Sequence, residues 1–301
     1  MITRDLSIAI DHLQRGEVIG LPTETVYGLA GNAFDPQAIQ KIYTIKQRPA
    51  SNPLIVHVGS IDQVNRFVIS FPAPLRELAE RFWPGPLTLL LKKTDDIPNM
   101  VTAGSDRVAI RIPDHPLTLA LLNQLDFPLV APSANPYTKV SPTRAEEVES
   151  YFGDQVPVVL QGGACDRGLE STIVGMEGDR VVAYRLGSLP IEQLESVVGK
   201  IELRNQDGHS TPAPGMAKKH YSPRTPLVIT EDIDRYIKEH PEERIGVFVK
   251  GTEDPETLAP LFYSRLQHLD KSGYDVLIAK HFAEKGLGRT LNDRLKRAAE
   301  E

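Results

Sequence analysis

Short apolar runs recur along residues 18–186 of this chain, and helix-like segments fall between them. Residues 18–21, 54–58, 87–92, 108–112, 129–131, 156–160, 171–174 and 180–186 read as strands, most of them closed by a proline, a glycine or a lysine. Helical patterns cover residues 6–15, 74–82 and 117–125. Asp35-Pro36 opens another, with Asp as cap and Pro at the first helical position. Strands and helices do not alternate regularly enough for an all-parallel sheet. They predict an α/β chain built on a large twisted mixed sheet with helices.

At 301 residues the chain exceeds the usual single-domain size, so two domains are expected. Composition changes between residues 204 and 226, where a polar stretch is followed by Pro212, Pro214, Pro223 and Pro226. This divides the chain into a first domain over 1–203, a linker over 204–226 and a small α/β, Rossmann-like domain over 227–301. In the last, strands are expected at 227–229, 245–249 and 276–278, and helices at 233–238, 257–269 and 291–299. The linker carries Lys218, Lys219, His220, Tyr221 and Arg224, which a passive tether does not need.

The net charge of −6 argues against a general nucleic-acid binder, so any such contact would be local. One cysteine, Cys165, excludes an intramolecular disulfide and fits a reducing cytoplasm. No apolar run approaches membrane-crossing length, and Met1-Ile2-Thr3-Arg4-Asp5 does not read as a secretory signal. The expected localisation is cytoplasmic, without membrane contact.

Two stretches gather groups that could hold a polyanion. In the helix after Asp35 the apolar stripe Ile39, Ile42, Tyr43 continues at Lys46. That lysine either points to the interior edge or snorkels past the helix C-terminus, where the dipole favours it. Arg48 close behind adds a planar fork that matches oxyanions. The other stretch is Ser133 and Asn135, just past the strand that ends at Ala131, where open α/β sheets place ligands. Ser141 and Thr143, with Glu146 three residues on, read as helix caps, and a helix N-terminus also suits phosphate.

Period two puts Arg107 and Arg111 on one face of their strand. There they form either a structural salt-bridge pair or one arginine for a carboxylate and one for a phosphate. Thr23, Thr25 and Tyr27 share a face in the same way. His57 lies opposite Leu54, Val56 and Val58 and reads first as a satisfied sheet histidine. There is no phosphate loop of the G-x-x-x-x-G-K-[ST] type, no nucleophile elbow and no spaced His/Cys cluster for zinc.

Seven strings in order, LPTETVYGLA (21–30), KQRPASNPLIVHV (46–58), PGPLTLLL (84–91), RVAIRIP (107–113), APSAN (131–135), SPT (141–143) and GLESTIV (168–174), resemble the YrdC-like family of threonylcarbamoyl-adenylate synthases. PAPGMAKKHYSP (212–223) and GLGRTLNDRLKRAA (286–299) resemble its longer, two-domain branch. Two positions depart from the pattern. Tyr137-Thr138 stands where the family has Ser-Gly, and Thr290 stands where alanine is usual.

The resemblance implies a nucleotidyltransferase that joins L-threonine, bicarbonate or carbon dioxide, and ATP, releasing pyrophosphate. The product, threonylcarbamoyl-adenylate, would go to a separate complex that modifies tRNA. By motif position, Lys46, Arg48, Ser133 and Asn135 would surround the ATP phosphates as the catalytic quartet. Asn52, Arg107, Ser141, Arg185, His220 and Tyr221 would also contact ATP, the last two from a linker folded over the site. Thr25, His57, Arg111, the backbone at Ala131 and Ser171 would hold threonine, with Arg111 on its carboxylate. Magnesium would arrive with the triphosphate, because no carboxylate cluster could cage it without substrate. The alternative is a structured-RNA-binding module of the same fold without synthase activity.

Overall fold

The computed structural model describes residues 1–204 and 220–300. Most of the expected linker, Lys218 and Lys219 included, lies outside the described residues. An eleven-stranded mixed sheet runs in the order Ile2–Thr3, Val158–Leu160, Ile19–Leu21, Gly28–Asn32, Leu129–Val130, Ile55–His57, Arg107–Arg111, Leu87–Lys92, Thr172–Glu177, Arg180–Arg185, Glu202–Leu203. A three-stranded parallel sheet, in the order Leu227–Ile229, Val276–Ala279, Ile245–Val249, builds a second unit with helices Ile233–Glu239, Phe262–Asp270 and Leu287–Ala298. Both the large mixed sheet and the small α/β unit agree with the sequence expectation. The helix expected over 257–269 is broken into Pro255–Leu258, a tighter turn and Phe262–Asp270. Pro260 lies in that turn and has no N–H to continue a helical ladder.

The main core packs Val56, Leu89, Ile110 and Val174 of the sheet against Ile39 and Ile42 of helix Pro36–Lys46 and Leu75 and Leu78 of helix Ala73–Phe82. Full burial of each such side chain stabilises by about 1.5–3 kcal/mol. The second unit has its own core around Phe248, Phe262, Leu266, Leu291 and Leu295. That core also takes in Val26, Val140 and Leu169 from the first unit, so the two units share an apolar seam.

Three irregular pieces of backbone shape the region between the units. Residues 22–27 were expected to extend a strand face through Thr23, Thr25 and Tyr27. They instead form the connection between antiparallel neighbours Ile19–Leu21 and Gly28–Asn32, which pair Leu21 with Gly28. Pro22 cannot donate to a ladder. Thr23 Oγ1 supplies local partners instead, donating to the Val26 carbonyl at 2.6 Å and accepting from the Thr25 and Val26 amides.

Helix Pro36–Lys46 ends with Gln47 in the left-handed region, φ 53°. The Gln47 and Arg48 amides donate back to the carbonyls of Thr44 and Tyr43, a Schellman closure without glycine. This abrupt stop turns both Lys46 and Arg48 inward. The third piece, residues 131–140, is pinned by Leu29 N–H to Pro132 O, Ala134 N–H to Tyr27 O and Tyr137 N–H to Lys46 O.

Thr138, the residue in the family's glycine position, sits at φ 70°, and its carbonyl accepts from the Ser222 amide at 2.9 Å. A β-branched side chain there carries about 1–2 kcal/mol of strain. Glycine would relieve that strain while losing about 0.5–1 kcal/mol through the freer unfolded chain. Thr138→Gly is therefore expected to raise the denaturant midpoint slightly, by roughly 0.5–1 kcal/mol in stability, with an unchanged slope. An equilibrium unfolding curve measures it, and a lowered midpoint would contradict the strain argument.

Candidate active site

One end of the large sheet carries a cluster of polar side chains. His57 and Arg111 end parallel neighbouring strands and sit side by side in register. Ser171 immediately precedes the Thr172–Glu177 strand, and Arg185 closes the antiparallel strand beside it. Arg107 begins the strand that Arg111 ends, pairs with Lys92, and lies about 13 Å away by strand rise. Its guanidinium donates to Met176 O and Tyr184 Oη, in a separate depression. Period two identified a shared face, but it does not say which end of a strand meets the site. The expected ATP contact of Arg107 is therefore not brought to this cluster.

A cavity with about 590 Å3 of empty space, its solvent-open mouth included, lies over this sheet end. Its walls include Thr25, Arg48, His57, Arg111, Ala131, Ser133, Ser171, Arg185, His220 and Tyr221, together with Glu170. Three guanidinium groups thus face one space, and their partners are mainly backbone oxygens. Arg48 Nη2 donates to Asn52 Oδ1 (2.6 Å) and Pro53 O (2.7 Å). Arg185 donates twice to Ser171 O and once to Ser171 Oγ, which also meets Thr88 Oγ1 at 2.7 Å. Arg111 Nε donates to Gly85 O and Nη1 to Thr25 Oγ1 (2.8 Å). Its Nη2 lies 2.6 Å from Glu24 Oε1, an ion pair approached outside hydrogen-bonding angles.

Behind the wall, Lys46 is 1% exposed, and its Nζ donates to the carbonyls of Ser133 (2.5 Å) and Asn135. Burial, then the charge of Arg48, pushes its pKa well below the ordinary lysine value, against which the two carbonyl contacts work. Asn135 donates its amide to the carbonyls of Pro136 and Lys139, Asn52 anchors Arg48, and Ser141 Oγ donates to Glu170 Oε1. Lys46, Asn135, Asn52 and Ser141 therefore shape the wall from behind. Ser141 caps no helix. The helix Ala145–Phe152 is closed by Glu147, not Glu146, whose carboxylate accepts from the Thr143 and Arg144 amides.

Glu170 is buried at the wall where the two units meet. Oε1 accepts from Ser141, and Oε2 accepts from Tyr263 Oη (2.9 Å) and Arg294 Nε (3.1 Å) of the second unit. Burial alone would raise its pKa, but Arg294, Arg185 and the Ser141 hydrogen bond outweigh it and hold the carboxyl at about 2. His220 and Tyr221 close the cavity from the second unit's side, with ring centroids 4.0 Å apart, and Tyr221 stacks on Tyr263. Glu24 and Glu170 were not singled out from the sequence. Glu24 lies between Thr23 and Thr25, and Glu170 between Leu169 and Ser171, so neither stands in a periodic pattern that marks a buried carboxylate.

A family model described as "Telomere recombination" matches residues 11–187, and one described as "Threonylcarbamoyl-AMP synthase, C-terminal domain" matches residues 189–300. The chain belongs to the threonylcarbamoyl-AMP synthase family. The Pyrococcus abyssi threonylcarbamoyl-AMP synthase is 36% identical over 98% of this chain and 94% of its own length. The Bacillus subtilis one is 39% identical over 95% and 90%. The crystal structure of P. abyssi Sua5 complexed with L-threonine superposes with a TM-score of 0.92 at 34% identity, over 99% of this chain and 97% of that one. E. coli YciO, 22% identical with a TM-score of 0.56, shares the fold of the larger unit.

In this member of the family both cavity histidines are held neutral. Burial, reinforced by Arg111, lowers the pKa of His57 to about 3. Burial also lowers His220 to about 3, opposed by Glu170 and reinforced by Arg48, Lys46 and Arg294. Each would take up a proton near 6.5 once unfolded, so the unfolded state binds more protons between pH 6.5 and about 3, and stability falls with pH there. Glu170, ordinarily near 4.5, adds a loss as pH falls from there toward about 2. Unfolding free energy measured from pH 7 to 4 is expected to drop steeply. His57→Asn should flatten the slope between pH 6.5 and 4, and an unaltered slope would contradict a neutral buried imidazole.

Proposed function

We propose that this protein condenses L-threonine, bicarbonate or carbon dioxide, and ATP into L-threonylcarbamoyladenylate with release of pyrophosphate. It is read as a cytoplasmic nucleotidyltransferase that feeds a separate tRNA-modifying complex. The observation that carries this reading is one cavity uniting Thr25, His57, Arg111, Ala131 and Ser171 with Arg48, Ser133, Arg185, His220 and Tyr221. The first group suits an amino acid whose carboxylate lies on Arg111, and the bound L-threonine of the P. abyssi relative supports it. The second suits a triphosphate.

The chemistry needs no protein nucleophile. Threonine's neutral amine adds to carbon dioxide with loss of a proton, or to bicarbonate with loss of water, to give a carbamate, and a carbamate oxygen attacks the α-phosphorus as the bond to pyrophosphate breaks. Fixed guanidinium groups, already desolvated and held by carbonyls, oppose the charge on the phosphoryl oxygens without rearranging. Neutral His57 beside Arg111 can orient the amino acid without adding charge. Magnesium, carried in by the triphosphate, would neutralise phosphate oxygens. Among the described residues the two nearby carboxylates, Glu24 and Glu170, are engaged by arginines and form no ready cage for it. The RNA-binding alternative is disfavoured because Arg48, Arg111 and Arg185 are buried in the cavity walls, beyond reach of a folded RNA backbone.

Pyrophosphate release should require both threonine and bicarbonate, and ATP turnover indifferent to threonine would overturn the reading. Arg111→Lys keeps a charge but loses the fork. It is expected to raise the threonine KM by roughly 10–100-fold, the worth of a charged bidentate contact, while leaving ATP affinity near wild type. Steady-state kinetics with each substrate varied in turn separates the two.

A further inference from the structure

Among the described residues that line the cavity Glu170 is the one carboxylate, and it shares the wall with Arg48, Arg185, His220 and Tyr221. A bare carboxylate there would repel a polyanion. Its charge is met by Arg294, a residue of the second unit that is fully buried and does not line the cavity. The same guanidinium donates to Leu186 O at 2.7 Å, next to Arg185, contacts the Asp293 carboxylate, and lies 4.9 Å from the ring centroid of Tyr221. Tyr263, from the same unit, donates to the oxygen of Glu170 that Arg294 holds. We propose that the C-terminal unit serves the reaction by delivering Arg294, which masks Glu170 and so makes the nucleotide half of the cavity accept a triphosphate.

Arg294 is thus a positioning residue: it touches no substrate and acts through Glu170 and Tyr221. A purely mechanical tie between the units could be apolar, since a buried ion pair is often no more stabilising than packed hydrocarbon of the same volume. What the ion pair adds is charge at the cavity wall. Thr290 Oγ1, donating to Gly187 O at 3.0 Å, shows that the seam has uncharged ties as well. Gly187 leaves no room for a side chain, as a Cβ there would lie 2.3–2.4 Å from the backbone of residues 170–172.

The inference rests on the ATP reading above, and full-length variants separate the two. Binding of Mg-ATP and of L-threonine is measured by calorimetry for wild type, Arg294→Met, Glu170→Gln and the double variant, with circular dichroism confirming the fold. Arg294→Met, which leaves Glu170 charged and without its ion-pair partner while Ser141 and Tyr263 still donate to it, is expected to weaken ATP binding by at least about tenfold, with threonine affinity within about twofold of wild type. Removing the stranded charge in the double variant should restore ATP affinity to within a few-fold of wild type, although the contact with Tyr221 is still missing. ATP binding by Arg294→Met at wild-type strength, or a double variant as weak as the single one, would overturn the proposal. Absence of ATP binding to wild type would instead overturn the proposed function. Should Arg294→Met not fold, Tyr263→Phe tests the same point: weaker ATP binding that Glu170→Gln reverses supports masking, and unchanged binding refutes it.

Discussion

Burying several cations around one empty space is the constraint on which this structure depends. Arg48, Arg111, Arg185 and, behind them, Lys46 are all more than nine-tenths buried, and most of their hydrogen bonds go to backbone carbonyls. A carbonyl dipole replaces lost water without cancelling charge, which keeps Arg48 charged at the wall, whereas Arg111 is paired with Glu24 and Arg185 lies in the field of Glu170. The irregular backbone follows from this need. The left-handed stop at Gln47 turns Lys46 and Arg48 inward, the crossing over 22–27 sets Thr25 Oγ1 against Arg111, and the 131–140 loop presents the Ser133 and Asn135 carbonyls to Lys46. The guanidinium donors are thus held in place by the protein itself.

The sequence carried the sheet, because hydrophobic runs report strands whatever they pair with. It carried Arg111, His57, Ser171 and Arg185 toward one cavity through motif order. Pattern failed where the partner was remote or the backbone irregular. The Lys46 stripe gave the direction of its side chain, but its acceptors are carbonyls nearly ninety residues away on a loop without periodicity. Thr23 and Thr25 looked like one strand face because alternation cannot see that Pro22 ends the ladder. Arg107 was grouped with Arg111 because a face is shared along a whole strand while a binding site occupies one end. Glu24 and Glu170 leave no mark in any pattern, because each meets an arginine that is remote in sequence.

The seam between the units joins two kinds of interaction with different consequences. Apolar contacts through Val26, Val140 and Leu169 fix the second unit against the first with little directional demand. The polar contacts through Glu170, Tyr263, Arg294 and the Ser222 amide are directional, and each ends on a residue or loop next to the cavity. A small shift of the second unit would break hydrogen bonds whose loss is felt at the side of the cavity lined by Arg48, Arg185, His220 and Tyr221.

The four residues expected to surround the phosphates divide by geometry into two kinds. Arg48 and Ser133 line the cavity, whereas Lys46 and Asn135 spend their donors on the carbonyls of the 133–139 loop. A lysine with two carbonyl acceptors and a neighbouring arginine is poorly placed to swing out toward an anion, because doing so would strand both carbonyls in a buried setting. Its consequence for chemistry is indirect: with Nζ drawn to the Ser133 and Asn135 carbonyls, the loop is curled so that Ser133 reaches the cavity while Asn135 braces the turn behind it. Mutating Lys46 removes a loop conformation before it removes a charge, so a severe effect there would not by itself place the lysine on a phosphate.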